Sequence, residues 1–185
     1  MRLRDPLPSI YEPIDLETFG LLVNGSDRKF ELFDGVIRMT GPATLAHGRV
    51  RTNLLMELAD RYDGTGFCPL MRFGVRIEQH SFLLPQVAVF PRDLDPHSTA
   101  GAPVVVAETH ALDRYDRERD ERIDLYRRVA SLRIIIVADP HLKHVQAHVR
   151  LGTRAWRDEV FLDGCDVSVP ELGLALRHDE IFARD

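Results

Sequence analysis

The stretch 83–128 limits the possible folds more than any other part of the chain. It holds two apolar runs, LLPQVAVF (83–90) and PVVVAETH (103–110), followed by a highly charged segment, DRYDRERDERIDLYRRV (113–129). The runs have the length and composition of buried strands, and the charged segment has the spacings of a helix. One carboxylate, Glu108, sits near the end of the second run. A carboxylate buried at a strand end costs free energy unless hydrogen-bond donors, a cation or a ligand compensate it. A chain that places one there must supply a partner from elsewhere.

Strand alternation narrows the choice of partner. Side chains two apart point the same way. Leu84, Gln86, Ala88 and Phe90 therefore share a face, as do Val104, Val106, Glu108 and His110. If the strands pair, Gln86, Glu108 and His110 converge at one end. The helix then returns Arg119, Arg122 and Tyr126 on one side, at spacings of 3 and 4. Glu108 has two readings on these grounds: a metal ligand, or a buried acid paired with Arg122 or Arg119.

The remaining segments read as one domain. Residues 1–13 form an extended arm with Pro6, Pro8 and Pro13, and 14–185 a single unit. Asp15 caps a helix over 16–24, with Leu16, Phe19, Leu22 and Val23 as its apolar side. KFELFDGVIRM reads as a hairpin around Asp34-Gly35. Phe30 and Leu32 share one face, Glu31 and Phe33 the other, and by residue type alone Glu31 is a solvated strand residue. A helix runs from Pro42 to Tyr62 with Val50, Leu54 and Leu58 as its buried stripe. His47 falls on that stripe, where a hydrogen-bonded core histidine is the ordinary reading. Residues 67–78 form two strands or one bent strand, kinked at Gly74. A polar loop follows at 91–102, carrying Asp93, Asp95 and His97. LRIIIVAD (132–139) reads as a strand buried on both faces. HVQAHVRL (144–151) reads as its half-exposed partner, with an edge through which a homodimer could form. The order gives a single α/β domain with a mixed sheet flanked by helices.

Composition excludes several classes. The chain has 185 residues, 44% hydrophobic and 29% charged, as in ordinary soluble domains. No apolar run approaches the ~20 residues of a membrane span. The N-terminal MRLRDPLPSIYEP lacks the apolar core of a secretory signal. Cys68 and Cys165 are too far apart and too few for a disulfide scaffold or a zinc site. A cytoplasmic protein is the expectation. The net charge of −5 gives no general attraction for nucleic acid, so any such contact requires a local basic face. Lysine is scarce: only Lys29 and Lys143 are available to any mechanism that needs one.

In their order and spacing, these pieces resemble the bacterial Uma family of restriction endonucleases, within the PD-(D/E)XK nuclease superfamily. The resemblance runs from about Leu16 to Phe182. It rests on FELFDGVI for the family's hairpin, His47 for its helix histidine, and PQVAVF and VVVAETH for its paired strands. DRERDERIDLYRRVASLRIIIVAD matches its helix and following strand, and VPELGLALRHDEIF its closing elements. The resemblance implies a restriction-endonuclease-like fold with a central mixed β-sheet flanked by helices. It also implies DNA as substrate and a Mg²⁺ or Mn²⁺ centre that hydrolyses phosphodiesters. Hard cations take carboxylate oxygens. The metal then supplies a hydroxide nucleophile, and a lysine stabilises developing charge.

Carried over residue by residue, Glu31, Gln86 and Glu108 fall at the metal positions. Glu108, Arg122, His110 and His47 fall at catalytic ones, and Tyr126 also matches. Two positions depart from the pattern: Gln86 stands where the family has Asp, and Arg122 where it has Lys. An amide lends a carbonyl oxygen but no charge, which weakens a divalent site. Arginine stays protonated and cannot act as a base. Lys29 lies beside Glu31 in sequence and Lys143 beyond the helix, so neither takes the missing lysine's place. His110 stands two after Glu108, where the superfamily's lysine often sits, as a base or ligand. Asp93 and Asp95 are loop acids that could substitute for Gln86. The expected functions are a metal-dependent DNA endonuclease, a non-catalytic DNA- or protein-binding relative, or a structural dimer-forming protein.

Overall fold

The computed structural model describes residues 13–112 and 116–182. Most of the expected N-terminal arm, and the first residues of the expected 113–129 helix, lie outside the described residues. The elements run in chain order as Leu16–Val23 (α1), Phe30–Phe33 (β1), Val36–Met39 (β2), Leu45–Tyr62 (α2), Phe67–Leu70 (β3) and Gly74–Ile77 (β4). Ser81–Leu83 (β5), Val87–Pro91 (β6), Ala100–Gly101 (β7), Val105–Thr109 (β8) and Arg117–Arg127 (α3) follow. Ile134–Asp139 (β9), His144–Arg150 (β10), Trp156–Phe161 (β11), Val167–Val169 (β12), Leu174–Leu176 (β13) and His178–Phe182 (α4) complete the chain. This is the expected α/β architecture.

The central sheet has six strands in the order β11-β10-β9-β8-β6-β3. Only β8 and β9 pair in parallel, and α3 lies in the connection between them. The continuous apolar runs at β8 and β9 follow from burial on both faces. On one face α2 lays Val50, Leu54 and Leu58 against Val105, Ala107, Ile134 and Ile136, and β12, β13 and α4 close that core. On the other face α3 buries Ile123, Leu125 and Tyr126 against Ala88, Phe90, Val106 and Ile135. Each large side chain buried this way contributes about 1.5–3 kcal/mol. A second sheet, β2-β1-β5-β4-β7, adds Phe33, Val75, Ile77 and Leu83 to the same core.

The local signals act as their chemistry dictates. Asp15 caps α1 by accepting from the Thr18 amide at 2.8 Å. Asp34 and Gly35 both have positive φ, 43° and 84°, as a two-residue hairpin with the strand twist requires. Thr44 and Asp116 cap α2 and α3.

Several expectations need correction. Of the apolar side of α1 only Phe19 is buried, and Leu22 is 62% exposed. α2 begins at Leu45, not Pro42, because Thr44 takes the capping position. Of the two readings of 67–78, the structure has two strands; they lie in different sheets, separated by Arg72 at positive φ. Gly74 permits the second: a Cβ there would lie 2.4 Å from the Phe82 ring. The 144–151 edge is no edge, since β10 pairs with β9 on one side and β11 on the other. Among the described residues no helix is long and apolar enough to cross a membrane.

Candidate active site

Glu31, Glu108, Arg122 and Tyr126 meet in the core between α3 and the two sheets. Each is at most 6% exposed. The pleat of β1 turns Glu31 inward, so the reading of Glu31 as a solvated strand residue fails. One turn of α3 separates Arg122 from Tyr126, and the two side chains reach the acids together.

The guanidinium of Arg122 lies between the two carboxylates. It donates to both oxygens of Glu31, at 2.8 and 2.6 Å, and to Glu108 Oε1 at 3.3 Å. The Tyr126 hydroxyl donates to the same Glu108 oxygen at 2.6 Å. Backbone amides supply the rest: Leu84 N–H to Glu31 Oε1 at 2.7 Å, and Gln86 N–H to Glu108 Oε2 at 3.3 Å. All four carboxylate oxygens therefore accept hydrogen bonds. Arg119 does not take part, because its guanidinium donates to the Ala111 carbonyl at 2.7 Å.

Electrostatics fixes the protonation of this group. Burial alone would lower the Arg122 pKa, but Glu108, Tyr126 and the Glu31 hydrogen bonds outweigh it and hold it well above the ordinary range. Burial, followed by the Glu108 charge, pushes the Tyr126 hydroxyl well above its usual value, so it stays a donor. The cluster carries two negative charges and one positive. The two amide donors and the Tyr126 hydroxyl disperse the remaining charge.

Gln86, the neutral residue at the position where the resemblance implied a metal ligand, lines the same cleft as Glu108. Its side-chain carbonyl accepts the Thr109 hydroxyl at 2.7 Å. Asp93, Asp95 and His97 lie on the exposed loop before β7, the latter two beside Arg76, and none lines the cleft at Glu108. Lys29 and Lys143 are exposed and have no contact with Glu31 or Glu108. Among the described residues no three His, Cys, Asp or Glu side chains are grouped to hold a metal ion. The residues present thus do not fit a Mg²⁺ or Mn²⁺ centre: Arg122 stands between Glu31 and Glu108 and also lies 3.6 Å from Glu118, which lines the same cleft.

A cleft of about 310 Å³ opens above this cluster. Glu108, Arg122 and Gln86 lie at its base, and His47, His110, Arg51 and Arg72 line its walls. His47 therefore faces the cleft rather than the core. Its Nδ1 lies 2.7 Å from the Thr44 hydroxyl. Burial, then His141 and His110, keep its pKa below the usual value, so it is neutral at pH 7. His110 Nδ1 stands 3.7 Å from Asp116, the cap of α3. Arg51, Arg72 and the clamp residue Asp139 were not singled out from sequence. Arg51 follows His47 by one helical turn, a spacing that marks the same face. Asp139, fully buried, accepts from the amides of Leu112, His141 and Leu142 and ties the end of β9 to the loop carrying His110.

Comparison with known proteins bears on this geometry. A family model named Uma2 and described as "Putative restriction endonuclease" matches residues 16–179. The crystal structure of "a putative nuclease belonging to DUF820" from Anabaena variabilis superposes with a TM-score of 0.73. It shares 17% identity over 92% of this chain and 98% of that one, a likeness of fold alone. No curated protein matches the chain. With the family model spanning all but the two ends, the chain belongs to the Uma2 family.

Proposed function

We propose that this protein keeps the PD-(D/E)XK nuclease frame but binds DNA in its cleft without metal-dependent hydrolysis. The observation that carries this reading is Arg122, bonded to Glu31 and Glu108 at once. A divalent cation placed at these carboxylates would meet the fixed positive charge of Arg122, which already occupies the space between them. A fixed guanidinium supplies the positive charge of a cation but cannot bind and ionise water. DNA as the ligand is supported by family membership and by the cleft walls. Arg51 and Arg72 give phosphate-directed donors, and His47 and His110 flank them.

The test is supercoiled plasmid with Mg²⁺ or Mn²⁺, alongside a duplex-binding assay. The natural protein should nick no faster than Glu108→Ala, while Arg51→Ala/Arg72→Ala should weaken duplex binding. Nicking by the natural protein that Glu108→Ala abolishes would overturn the proposal.

A further inference from the structure

A second basic surface lies at the other end of the central sheet. Glu108 stands at the end of β8, whereas this surface gathers around the start of β9. Glu108 lies in register with Val137, four residues beyond Arg133, so about 13 Å of strand separates them. The surface is a concavity of about 780 Å³ lined by Arg127, Arg128, Arg133, Arg150, Arg154 and Trp156. Glu78 is the one acid on its lining. The chain as a whole carries a charge of −5, so five arginines in one hollow run against its composition.

Two of the five are neutralised. Arg127 pairs with Asp158 at 3.1 Å and Asp124 at 3.5 Å. Arg128 pairs with Asp34 at 2.8 Å and with Glu78 at 3.6 Å. The other three are not. Arg150 spends its donors on the backbone carbonyls of Leu132, Thr153, Arg127 and Val129. Those bonds lock its position, with its carbon 4.3 Å from the Trp156 ring centre, but cancel none of its charge. Arg133 and Arg154 have no side-chain partner among the described residues. Burial and then Arg133 depress the Arg150 pKa, which places the two charges close together. Three uncompensated guanidinium groups around one hollow repel each other, and an anion relieves that repulsion.

We propose that this groove binds the phosphodiester backbone of duplex DNA as a site separate from the cleft. The choice of DNA rests on the reading of the cleft, but the position of the groove does not. Arg150 acts as the fixed charge, and Arg133 and Arg154 reach the phosphates. Trp156 supplies a rigid wall rather than a base reader, because Arg150 covers one of its faces. Contacts of this kind position a duplex without reading its sequence.

The experiment measures binding of a labelled 20-base-pair duplex by anisotropy across a salt series. It uses the natural protein, Arg133→Ala/Arg154→Ala, Arg133→Lys/Arg154→Lys and the cleft variant Arg51→Ala/Arg72→Ala. The alanine pair should lose about tenfold in affinity and flatten the salt dependence by roughly two phosphate contacts. The lysine pair should keep most of the affinity, since charge is what the phosphates require. Inorganic phosphate at millimolar concentration should not displace the duplex. Duplex binding by the alanine pair equal to the natural protein overturns the groove, and a loss in the cleft variant alone leaves the cleft reading standing. Displacement by millimolar phosphate also overturns it, reducing the groove to an isolated anion site. Absence of duplex binding by every protein overturns both readings.

Discussion

The two ends of the central sheet use the same residue in opposite ways. At one end Arg122 is buried and bonded to two carboxylates. At the other, Arg150 is held by carbonyls, and among the described residues Arg133 and Arg154 form no ion pair. The first arrangement spends a charge inside the fold and makes the site rigid. The second turns charge outward, where a ligand can use it. An arginine count therefore says little about function; what matters is whether each guanidinium meets an acid. At the cleft end the Arg122 guanidinium fills the space between Glu31 and Glu108.

The largest effect expected separates the ends by stability. Arg122→Met leaves Glu31 and Glu108 buried without their cation and should cost about 3–5 kcal/mol in urea unfolding. Adding Glu31→Gln and Glu108→Gln should recover most of that loss, because no buried charge then lacks a partner. A loss under about 1 kcal/mol for Arg122→Met alone would contradict the buried cluster.

The groove should behave in the reverse way. Arg133→Ala/Arg154→Ala should leave the melting temperature unchanged while lowering duplex affinity about tenfold. A drop in melting temperature with no change in affinity would make these arginines structural.

How far the sequence revealed this contrast differs between the ends. Gln86, Glu108 and Arg122 were legible because alternation and helical spacing are local rules that place each on a known face, whereas Glu31 entered only through the family resemblance. The pairing of Glu108 with Arg122 was one of two readings, and geometry selected it. Inward burial of Glu31 was not legible from residue type, because it depends on α3 and a second sheet packing over β1. The split of 67–78 between two sheets was half legible: Gly74 marked the break but not the partners. The groove was not legible at all. Its arginines come from the end of α3, the start of β9 and the β10–β11 turn, and each looks like an ordinary solvated charge in sequence. Only the topology brings them together.

A smaller effect is expected from pH. His148, beside Arg127 at the groove end, is kept below its ordinary value of 6.5 by burial, against its hydrogen bond to Asp158, which raises it. The folded protein thus favours neutral His148. Its contribution to stability is complete above pH 6.5 and is lost as pH falls through the lower folded value. His47 at the cleft is lowered in the same sense. Urea midpoints at pH 7.5 and 5.5 should fall on acidification, and His148→Gln should reduce the slope. An unchanged slope would assign the pH dependence elsewhere.

The smallest effect comes from α3 itself. Arg117 is 80% exposed and pairs with Glu121 at 2.7 Å. Arg117→Ala should change stability by no more than about 0.5 kcal/mol, one helical turn or so from the residue whose loss costs most. Parity between Arg117→Ala and Arg122→Met in unfolding would erase the distinction between exposed and buried pairs.

The most direct test is Mn²⁺ binding by calorimetry to the natural protein and to Gln86→Asp/Arg122→Lys. The account predicts no binding heat for the natural chain, because Arg122 holds both carboxylates, and measurable binding for the variant with the third carboxylate and the shorter, movable cation. Tight Mn²⁺ binding by the natural chain would contradict it.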